Sequence, residues 1–325
     1  MHILITGGAG FIGSNLAQYH LAKGDSVHVV DDLSTGSLEN ISTCLAHHNF
    51  IFTHADVLVW SELKVAVRSV DRIYHLAAVV GVKKVLEDPR KVMATNIAAT
   101  ERVLRAVDEV NPSAKILIAS SSEVYGFNKN DGFTETDDIV LRSGGRLRWC
   151  YAVTKLADEY LAYSFANTSK LNVIIARLFN TIGPNQTGKY GMVVPNFVHQ
   201  AVTNKPVTIF GDGTQTRSFC DVRDTIQAFE SLMSCDSANG EIINIGNDHE
   251  IAITDLAKLV ISRAKSNSTL HYQTYEQAYG RSFEDISRRR PVLDKLRRFT
   301  GFEPKWALEQ TLDELIAIER KKMDT

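Results

Sequence analysis

Short apolar runs alternate with longer helical patterns through the first half of the chain. The runs are rich in β-branched residues and apolar on both faces, as is typical of parallel strands buried between two helical layers. Helical patterns cover 11–24, 89–110 and 151–166. The pattern therefore predicts alternating strands and helices. The predicted strands are 2–6, 27–31, 50–54, 72–76, 115–120 and 172–178.

This alternation favours an α/β fold, a doubly wound parallel sheet of the Rossmann type with helices on both faces. From about residue 180 the apolar runs become shorter and loops interrupt them. We predict a dinucleotide-binding Rossmann domain at 1–178 and a smaller C-terminal α/β lobe for the substrate at 179–325, with the chain able to cross back after residue 210. Ligands of such sheets bind beyond the carboxyl ends of the strands.

The composition of the chain argues against several classes of function. The 325 residues are 44% apolar and 23% charged, and the net charge of −2 provides no basic field for nucleic acid or an anionic membrane. The four cysteines lack metal-ligand spacing, so we expect reduced thiols, no metal and a cytoplasmic protein. We also expect no membrane association, because no apolar run has the length of a membrane span and a strand begins at the N-terminus.

A glycine-rich turn follows the first predicted strand in "ITGGAGFIGSNLA", with Gly7, Gly10 and Gly13 before a helix. Such a turn lets the backbone approach a pyrophosphate, while the helix N-terminus supplies N–H groups for its charge. Asp31 and Asp32 end the second strand, at the usual position of the acid that binds the adenosine ribose. A carboxylate there would repel a 2′-phosphate. The sequence therefore predicts NAD rather than NADP.

Two further segments are candidates for cofactor contacts. Asp56 follows the third strand, where it can meet the adenine amino group, and small residues in 75–81 follow the fourth strand. Each of these features alone is more typical of side-chain packing than of contact with a cofactor.

Tyr151 and Lys155 are spaced i and i+4 in a predicted helix, so both side chains lie on one helix face. A phenol with a pKa near 10 is a poor base at neutral pH. An ammonium one turn away and a positive nicotinamide ring would both lower that pKa. Tyr151 can then take a proton from a sugar hydroxyl while hydride leaves the same carbon.

The order of "GGAGFIG", "HLAA", "SSSEVYG", "YAVTK" and "RLFNTIGPNQ" resembles the extended short-chain dehydrogenase/reductase family that acts on nucleotide-diphosphate sugars. The resemblance covers nearly the whole chain. It implies bound NAD, a Ser-Tyr-Lys catalytic set, a UDP-sugar as the expected substrate, and a C-terminal lobe that holds the nucleotide sugar. It also implies a homodimer built from the helices at 88–110 and 150–168.

Members of the family oxidise the sugar at C4 and differ in what the 4-keto intermediate does next. The 4,6-dehydratases carry Asp-Glu before "VYG", whereas this chain has Ser122 and Glu123. The segment "SSSEVYG" most resembles UDP-glucuronate decarboxylases. By that resemblance Ser122 would steady the C4 oxygen, and Glu123 would orient the carboxylate or a water that protonates C5. A decarboxylase of an N-acetylated uronate fits nearly as well, a 4-epimerase remains the main alternative, and a 4,6-dehydratase is a further one.

The resemblance also implies site residues in both lobes. Asn180 and Arg217 match positions used on the sugar and diphosphate, strand 207–210 would flank the uracil, and Arg289 matches an arginine near the sugar and diphosphate. The alternative for Arg288 to Arg290 is a solvated charge run, and the register is uncertain by one residue.

The predicted catalytic residues are Ser122, Glu123, Tyr151, Lys155 and Arg289. The predicted substrate residues are Asn180, Val194, Thr208, Ile209, Phe210, Arg217 and Arg289. The predicted cofactor residues are Gly7, Gly10, Phe11, Ile12, Gly13, Asp31, Asp32, Ser34, Thr35, Gly36, Asp56, Val57, Leu76, Ala77, Ala78, Asn96, Ser120, Tyr151 and Lys155.

Two rival classes of function stay open at this point. A dinucleotide sensor on the same scaffold would not need both Tyr151 and Lys155, and this chain has both. A ketone reductase would release NADH at steady state, whereas a cofactor-recycling enzyme would not.

Overall fold

The computed structural model describes residues 1–81, 85, 87–142, 147–189, 191–279 and 286–323. Its centre is a seven-stranded parallel sheet with the order β11-β6-β5-β4-β1-β2-β3. All six strands predicted from the apolar runs are present, and their ends differ from the prediction by at most one residue. The sheet strands are β1 (His2–Thr6), β2 (Ser26–Asp31), β3 (Phe50–His54), β4 (Arg72–His75), β5 (Lys115–Ser121), β6 (Asn172–Leu178) and β11 (Ile242–Ile245).

Helices cover both faces of this sheet, which confirms the doubly wound fold. Side chains of β1 alternate between two cores: Ile3 and Ile5 lie in one hydrophobic cluster and Leu4 in the other. This alternation follows from the two-residue period of a strand. The helices are α1 (Phe11–Ala22), α2 (Leu63–Val67), α3 (Pro89–Val110), α4 (Cys150–Thr168), α5 (Val193–Val202), α6 (Val222–Met233), α7 (Ile253–Arg263), α8 (Tyr275–Tyr279), α9 (Asp294–Thr300) and α10 (Leu308–Met323).

The start of α3 is encoded locally. Asp88 is its N-cap residue, and the Asp88 carboxylate accepts a hydrogen bond from the Lys91 backbone N–H at 3.1 Å. Pro89 occupies the first turn, where its missing N–H costs no helical hydrogen bond. The helix packs closely against α4 on one face of the sheet.

The second lobe consists of short strands and helices around a separate apolar core. Strand β8 (Val207–Phe210) pairs with β13 (Leu270–Gln273), and β9 (Thr216–Ser218) lies between β12 (Glu250–Ala252) and β14 (Arg288–Arg289). Strand β11 pairs with β6 in the main sheet, so the chain returns to the first lobe after residue 210. The division at residue 178 stays a prediction. The remaining elements are β7 (Thr181–Ile182), β10 (Cys220–Asp221) and 3₁₀ turns at Leu38–Ile41, Ser122–Tyr125, Leu147–Trp149 and Asp236–Ala238.

None of the helices in the described ranges combines the length and apolarity needed to cross a bilayer.

Candidate active site

A cleft of about 590 Å³ runs along the carboxyl ends of the parallel strands and reaches the second lobe. In the sheet, β1 has β2 on one side and β4 on the other. The crossover connections therefore run in opposite directions on the two sides of β1. Sheets of this kind bind ligands at such a switch point. The predicted site residues of both lobes meet in this cleft, with three exceptions described below.

The glycine turn after β1 forms one wall of the cleft. Gly7 has a φ of 72°, which favours glycine, and its N–H donates to the Val30 carbonyl at 2.8 Å. A Cβ at Gly13 would lie 2.4 Å from the Gly7 carbonyl oxygen, so only glycine fits this helix turn against the loop. Among the described residues, no side chain caps α1 at its N-cap residue Gly10. The first-turn N–H groups can therefore meet a pyrophosphate, and the cradle fits a dinucleotide.

Three carboxylates line the cleft on the β2 and β3 side. Asp31 accepts backbone N–H groups of Ala9 at 3.0 Å and Leu33 at 2.8 Å, which fixes the carboxylate beside the glycine turn. Burial raises the pKa of Asp31, and these two hydrogen bonds oppose the shift. Asp32 and Asp56 also line the cleft at this end. The three carboxylates therefore lie together at one end of the cleft, and their contact with the adenosine half of a dinucleotide stays a prediction.

Two of the predicted cofactor residues do not line the cleft. Gly36 is closely packed, because an added Cβ at this position would lie 3.0 Å from Asp31 Oδ1. Asn96 is buried, and its amide exchanges hydrogen bonds with the Val79 backbone at 2.8 and 3.3 Å and contacts Thr154. Both residues thus support the wall from behind, and their contacts with a cofactor stay predictions. The other predicted cofactor residues line it: Gly7, Gly10, Phe11, Ile12, Gly13, Asp31, Asp32, Ser34, Thr35, Asp56, Val57, Leu76, Ala77, Ala78, Ser120, Tyr151 and Lys155.

Tyr151 and Lys155 project from α4 into the cleft, one helical turn apart. Lys155 Nζ contacts Asp158 Oδ2 at 3.1 Å, and both side chains are almost completely buried. The carboxylate raises the pKa of Lys155 against the effect of burial, so the lysine is held as an ammonium. The ammonium is therefore present beside the phenol, as the i, i+4 spacing predicted.

The pKa of Tyr151 differs from the sequence-based expectation. Burial is the largest influence and raises the pKa of the phenol, while Lys155 and a hydrogen bond with Ser121 lower it. Glu123 and Asp158 raise it further. Lys155 thus acts in the expected direction, but alone it does not bring the phenol below its ordinary pKa.

The serine beside Tyr151 is Ser121, whereas the sequence reading selected Ser122. Ser121 ends β5, and its hydroxyl accepts the Glu123 backbone N–H at 3.2 Å as the cap of the following 3₁₀ turn. Ser122 is buried in that turn and still lines the cleft. Ser120 donates to Glu159 at 2.5 Å, and Arg177 binds the same carboxylate. The serine hydroxyl that meets the Tyr151 phenol is therefore that of Ser121.

Glu123 lies in the cleft between two arginines. Arg289 Nη2 donates to Glu123 Oε1 at 2.6 Å, and Arg148 Nη1 lies 3.5 Å from Glu123 Oε2. Strand β14 carries Arg289, so the second lobe closes onto the carboxyl end of β5 through this ion pair. Arg288 instead pairs with Asp131 and Glu250, with 41% of its side chain exposed. Of the three successive arginines, Arg289 alone lines the cleft.

The substrate residues of the second lobe lie across from the sheet edge. Asn180 donates to the Ser218 carbonyl at 3.0 Å, and buried Arg217 donates to the Thr216 carbonyl at 2.7 Å. Val194, Thr208 and Phe210 also line the cleft. Ile209 does not, because alternate side chains of a strand point to opposite faces and Ile209 is fully buried in the apolar core.

Several polar residues of the cleft were not singled out from the sequence. Ser121 lies within the segment "SSSEVYG", and Arg148 precedes Tyr151 by one helical turn, so their positions relative to Glu123 and Tyr151 are the available signal. The others come from loops and from elements distant in the chain. The unpredicted polar lining residues are Thr95, Ser121, Arg148, Thr181, Gln186, Thr187, Asn196, Gln200, Gln215 and Tyr275.

Comparison with known proteins identifies the family. The model of the family described as GDP-mannose 4,6 dehydratase matches residues 4–315. The chain belongs to this family. Its membership confirms the resemblance to the extended short-chain dehydrogenase/reductases that modify nucleotide sugars.

Similar proteins of known name match nearly the full length of the chain. The UDP-N-acetyl-alpha-D-glucosaminuronate decarboxylase of Bacillus cytotoxicus is 35% identical over 314 residues, which are 96% of each chain. UDP-glucuronic acid decarboxylase 2 of Arabidopsis thaliana is 33% identical over 99% of this chain and 69% of the relative. Decarboxylases of uronates are thus among its similar proteins.

Solved structures of similar fold include enzymes with other outcomes. The UDP-glucuronic acid 4-epimerase of Bacillus cereus, in complex with UDP-glucuronic acid and NAD, has a TM-score of 0.88 and 26% identity, covering 99% of this chain and 100% of the other. The dTDP-glucose 4,6-dehydratase of Bacillus anthracis, in complex with NAD, has a TM-score of 0.86 and 27% identity, covering 100% and 98%. The shared fold accommodates several fates of a sugar.

Proposed function

We propose that the protein is an NAD-dependent decarboxylase of UDP-uronates, with UDP-glucuronate as the first candidate substrate. The observation that carries the proposal is Glu123, held by Arg289 at the carboxyl end of β5 beside Tyr151. Ser122 stands where a 4,6-dehydratase carries its acid, so the usual acid for expelling water is missing. A uronate needs no such acid, because it loses carbon dioxide.

NAD fits the glycine cradle and the carboxylates of the β2 and β3 side. When bound, it would take up hydride from C4 of the sugar and return hydride to the same carbon. Tyr151 takes the proton of the C4 hydroxyl, and Lys155 stabilises the phenolate by its charge. Ser121 can hydrogen-bond to the C4 oxygen as it becomes a carbonyl.

The 4-ketone then lies β to the carboxylate on C5. When the bond between C5 and the carboxylate breaks, carbon dioxide leaves. The electron pair of that bond stays with the sugar and moves through C5 to the C4 oxygen, which gives an enolate. The Tyr151 hydroxyl, now protonated, can donate a hydrogen bond to that oxygen. Glu123 is placed to hold the carboxylate-bearing side of the sugar or a water that protonates C5. Reduction of the ketone completes a UDP-pentose.

A 4-epimerase that acts on UDP-glucuronate is the second candidate. It is favoured by the likeness to the solved Bacillus cereus epimerase, whose fold matches over the whole chain. Sequence identity favours the decarboxylases, which reach 35%. That relative also makes UDP-N-acetylglucosaminuronate a second candidate substrate for decarboxylation.

Product analysis by mass distinguishes these functions. We expect the enzyme with NAD to convert UDP-glucuronate, its N-acetylated amino analogue or both to a product lighter by one carbon dioxide, without net NADH. UDP-glucose and dTDP-glucose are the controls and should be unchanged. A product of unchanged mass with an inverted C4 centre would establish the epimerase, loss of water the dehydratase, and accumulating NADH a reductase.

We also propose that the protein forms a homodimer through α3 and α4. The outer face of α4 exposes Tyr160 (70%) and Tyr163 (51%), and α3 exposes Ala94 and Ala98. Exposed aromatic side chains of this kind are typical of interfaces. The cytoplasmic location inferred from the cysteines stays a prediction.

The dimer is tested by light scattering after size exclusion. We expect a dimer for the native chain and a monomer after Tyr160→Glu with Tyr163→Glu, because two charges would be buried. Tyr272→Glu, which changes a tyrosine of the second lobe that is 49% exposed, is the control and should remain dimeric. A native chain that is monomeric at micromolar concentration would refute this interface.

A further inference from the structure

Asp158 is a buried carboxylate directly behind Lys155. It follows Lys155 by one turn of α4, and its Oδ2 lies 3.1 Å from Lys155 Nζ. The exposed fractions of the two side chains are 4% for Lys155 and 0% for Asp158. Tyr151 and Lys155 line the cleft, whereas Asp158 does not. The carboxylate therefore reaches the reacting atoms through Lys155 and not by contact.

Stability alone does not explain a buried ion pair of this kind. The desolvation of two charges can exceed their mutual attraction, so apolar side chains of similar volume often stabilise a fold equally well. Removing one partner, by contrast, leaves a buried charge that is neutralised by losing or gaining a proton. The pair between Lys155 and Asp158 thus keeps both groups charged, and Lys155 is the member that faces the cleft.

Buried side chains from the sheet and from α3 hold Asp158 in place. His75, at the end of β4, has Nδ1 2.8 Å from Thr6 Oγ1 and Nε2 3.1 Å from Thr100 Oγ1. Burial, together with Lys155, lowers the pKa of His75 to about 3. The ring is therefore neutral at working pH and adds no charge beside Lys155. Burial raises the pKa of Asp158, and a hydrogen bond with Thr100 opposes this shift.

The charged groups that act on Lys155 come mainly from its own helix. Burial lowers the pKa of Lys155, but the pKa is raised overall because three acidic groups oppose the effect of burial. Asp158 is the strongest of these, followed by Tyr151 and Glu159. Glu159 is itself paired with Arg177 at 2.8 Å. Asp158 is thus the anion on which the ammonium form of Lys155 depends most.

Asp158 influences Tyr151 in two opposite directions. Burial is the largest cause of the raised pKa of the phenol, and the negative charge of Asp158 raises it further. Glu123, which two arginines contact, acts in the same direction. Lys155 lowers this pKa, and its influence is stronger than the direct one of Asp158. Removal of Asp158 would therefore favour the phenolate directly but disfavour it through Lys155, and the second effect is the larger if Lys155 loses its charge.

We propose that Asp158 is a positioning residue of the reaction: it keeps Lys155 charged, so that Tyr151 and not Lys155 releases a proton in the working pH range. Without the carboxylate, the buried ammonium loses its proton more readily than the phenol beside it. The phenol then stays protonated and cannot take the proton of the C4 hydroxyl. This inference rests on the proposed function in taking Tyr151 as the base, but it does not depend on which sugar is bound.

The ionisation of Tyr151 can be measured without a substrate. The ultraviolet absorbance of phenolate is recorded against pH for the enzyme saturated with NAD, and the curve of the matching Tyr151→Phe variant is subtracted. At a fixed pH on the rising part of the native curve, Asp158→Asn should lower the ionised fraction of Tyr151 by about tenfold or more. Asp158→Glu keeps the charge and should remain within about threefold of the native fraction. Because the phenolate is the active form, the acidic limb of kcat/KM should move to higher pH in Asp158→Asn.

A double-mutant cycle shows whether Asp158 acts through Lys155. At neutral pH, Asp158→Asn should lower kcat/KM by about tenfold or more in the native background. In a Lys155→Met background the ammonium is already absent, so the same change should alter kcat/KM by less than about threefold. If Asp158→Asn does not fold, Asp158→Ala removes the same charge and is measured in its place.

The matched control is Asp255→Asn, which breaks the i, i+3 pair with Lys258 on the exposed surface of α7. Its Tyr151 ionisation and its kcat/KM should equal those of the native enzyme. An ionised fraction that is unchanged or higher in Asp158→Asn would overturn the inference, because Lys155 would then keep its charge without Asp158. Equal losses of kcat/KM with and without Lys155 would also overturn it, because Asp158 would then only support the fold. The proposed function fails separately, if the native enzyme forms no UDP-pentose whatever the titration of Tyr151 shows.

Discussion

Replacing Tyr151 with phenylalanine should lower turnover by about 1,000-fold or more while NAD remains bound. The variant keeps the aromatic ring but loses the phenolic oxygen, which as a phenolate takes the proton of the C4 hydroxyl while hydride leaves C4. Neither Lys155 nor Ser121 can replace it, because Lys155 is held as an ammonium by Asp158 and Ser121 has no base of its own. Turnover is measured as UDP-pentose formed from UDP-glucuronate, and bound NAD by calorimetric titration.

Tyr160→Phe is the control for this experiment. Tyr160 lies on the same helix, is 70% exposed and does not line the cleft. Its loss of a hydroxyl should leave turnover unchanged. Substantial activity in Tyr151→Phe, within about tenfold of the native enzyme, would remove Tyr151 from the reaction.

Replacing Glu123 with glutamine should separate the two halves of the reaction. Glutamine has nearly the same shape but carries no charge, so Arg148 and Arg289 lose their shared anion. Oxidation at C4 depends on Tyr151 and should continue, whereas loss of carbon dioxide with protonation of C5 should slow by about 100-fold or more. We therefore expect enzyme-bound NADH, seen by its absorbance, to accumulate in proportion to enzyme while UDP-pentose forms slowly.

The control here is Glu101→Gln, which removes a carboxylate that pairs with Arg105 on the outer surface of α3. It should behave as the native enzyme. If Glu123→Gln slows oxidation and decarboxylation equally, Glu123 serves the placement of the whole sugar instead of the second half of the reaction.

The sheet and the cofactor half of the cleft could be predicted from sequence because their signals are local. Buried parallel strands are apolar on both faces, and the turn at Gly7 and Gly13 admits no side chain, so both features are visible in a short window. Asp31 ends its strand at a fixed distance from that turn. The sequence allows the return of β11 to the main sheet but does not predict it, because the pairing with β6 joins residues far apart in the chain.

The reacting end of the cleft was less predictable. Three serines in succession before Glu123 do not reveal which one meets Tyr151, because the answer depends on where β5 ends and the 3₁₀ turn begins. The apolar run at 207–210 does not show which strand residues face the cleft, and Ile209 faces the apolar core. The pKa of Tyr151 depends on burial of the phenol, which the spacing of residues in a helix does not reveal.

The central claim is that hydride leaves and returns at C4 while carbon dioxide is lost from C5. The most direct measurement supplies UDP-glucuronate deuterated at C4 to the enzyme with NAD and analyses the product by mass and by nuclear magnetic resonance. The account predicts a UDP-pentose lighter by one carbon dioxide that keeps its deuterium at C4, with no net NADH. A product of unchanged mass with C4 inverted, or a pentose that has lost the C4 deuterium to solvent, would contradict it.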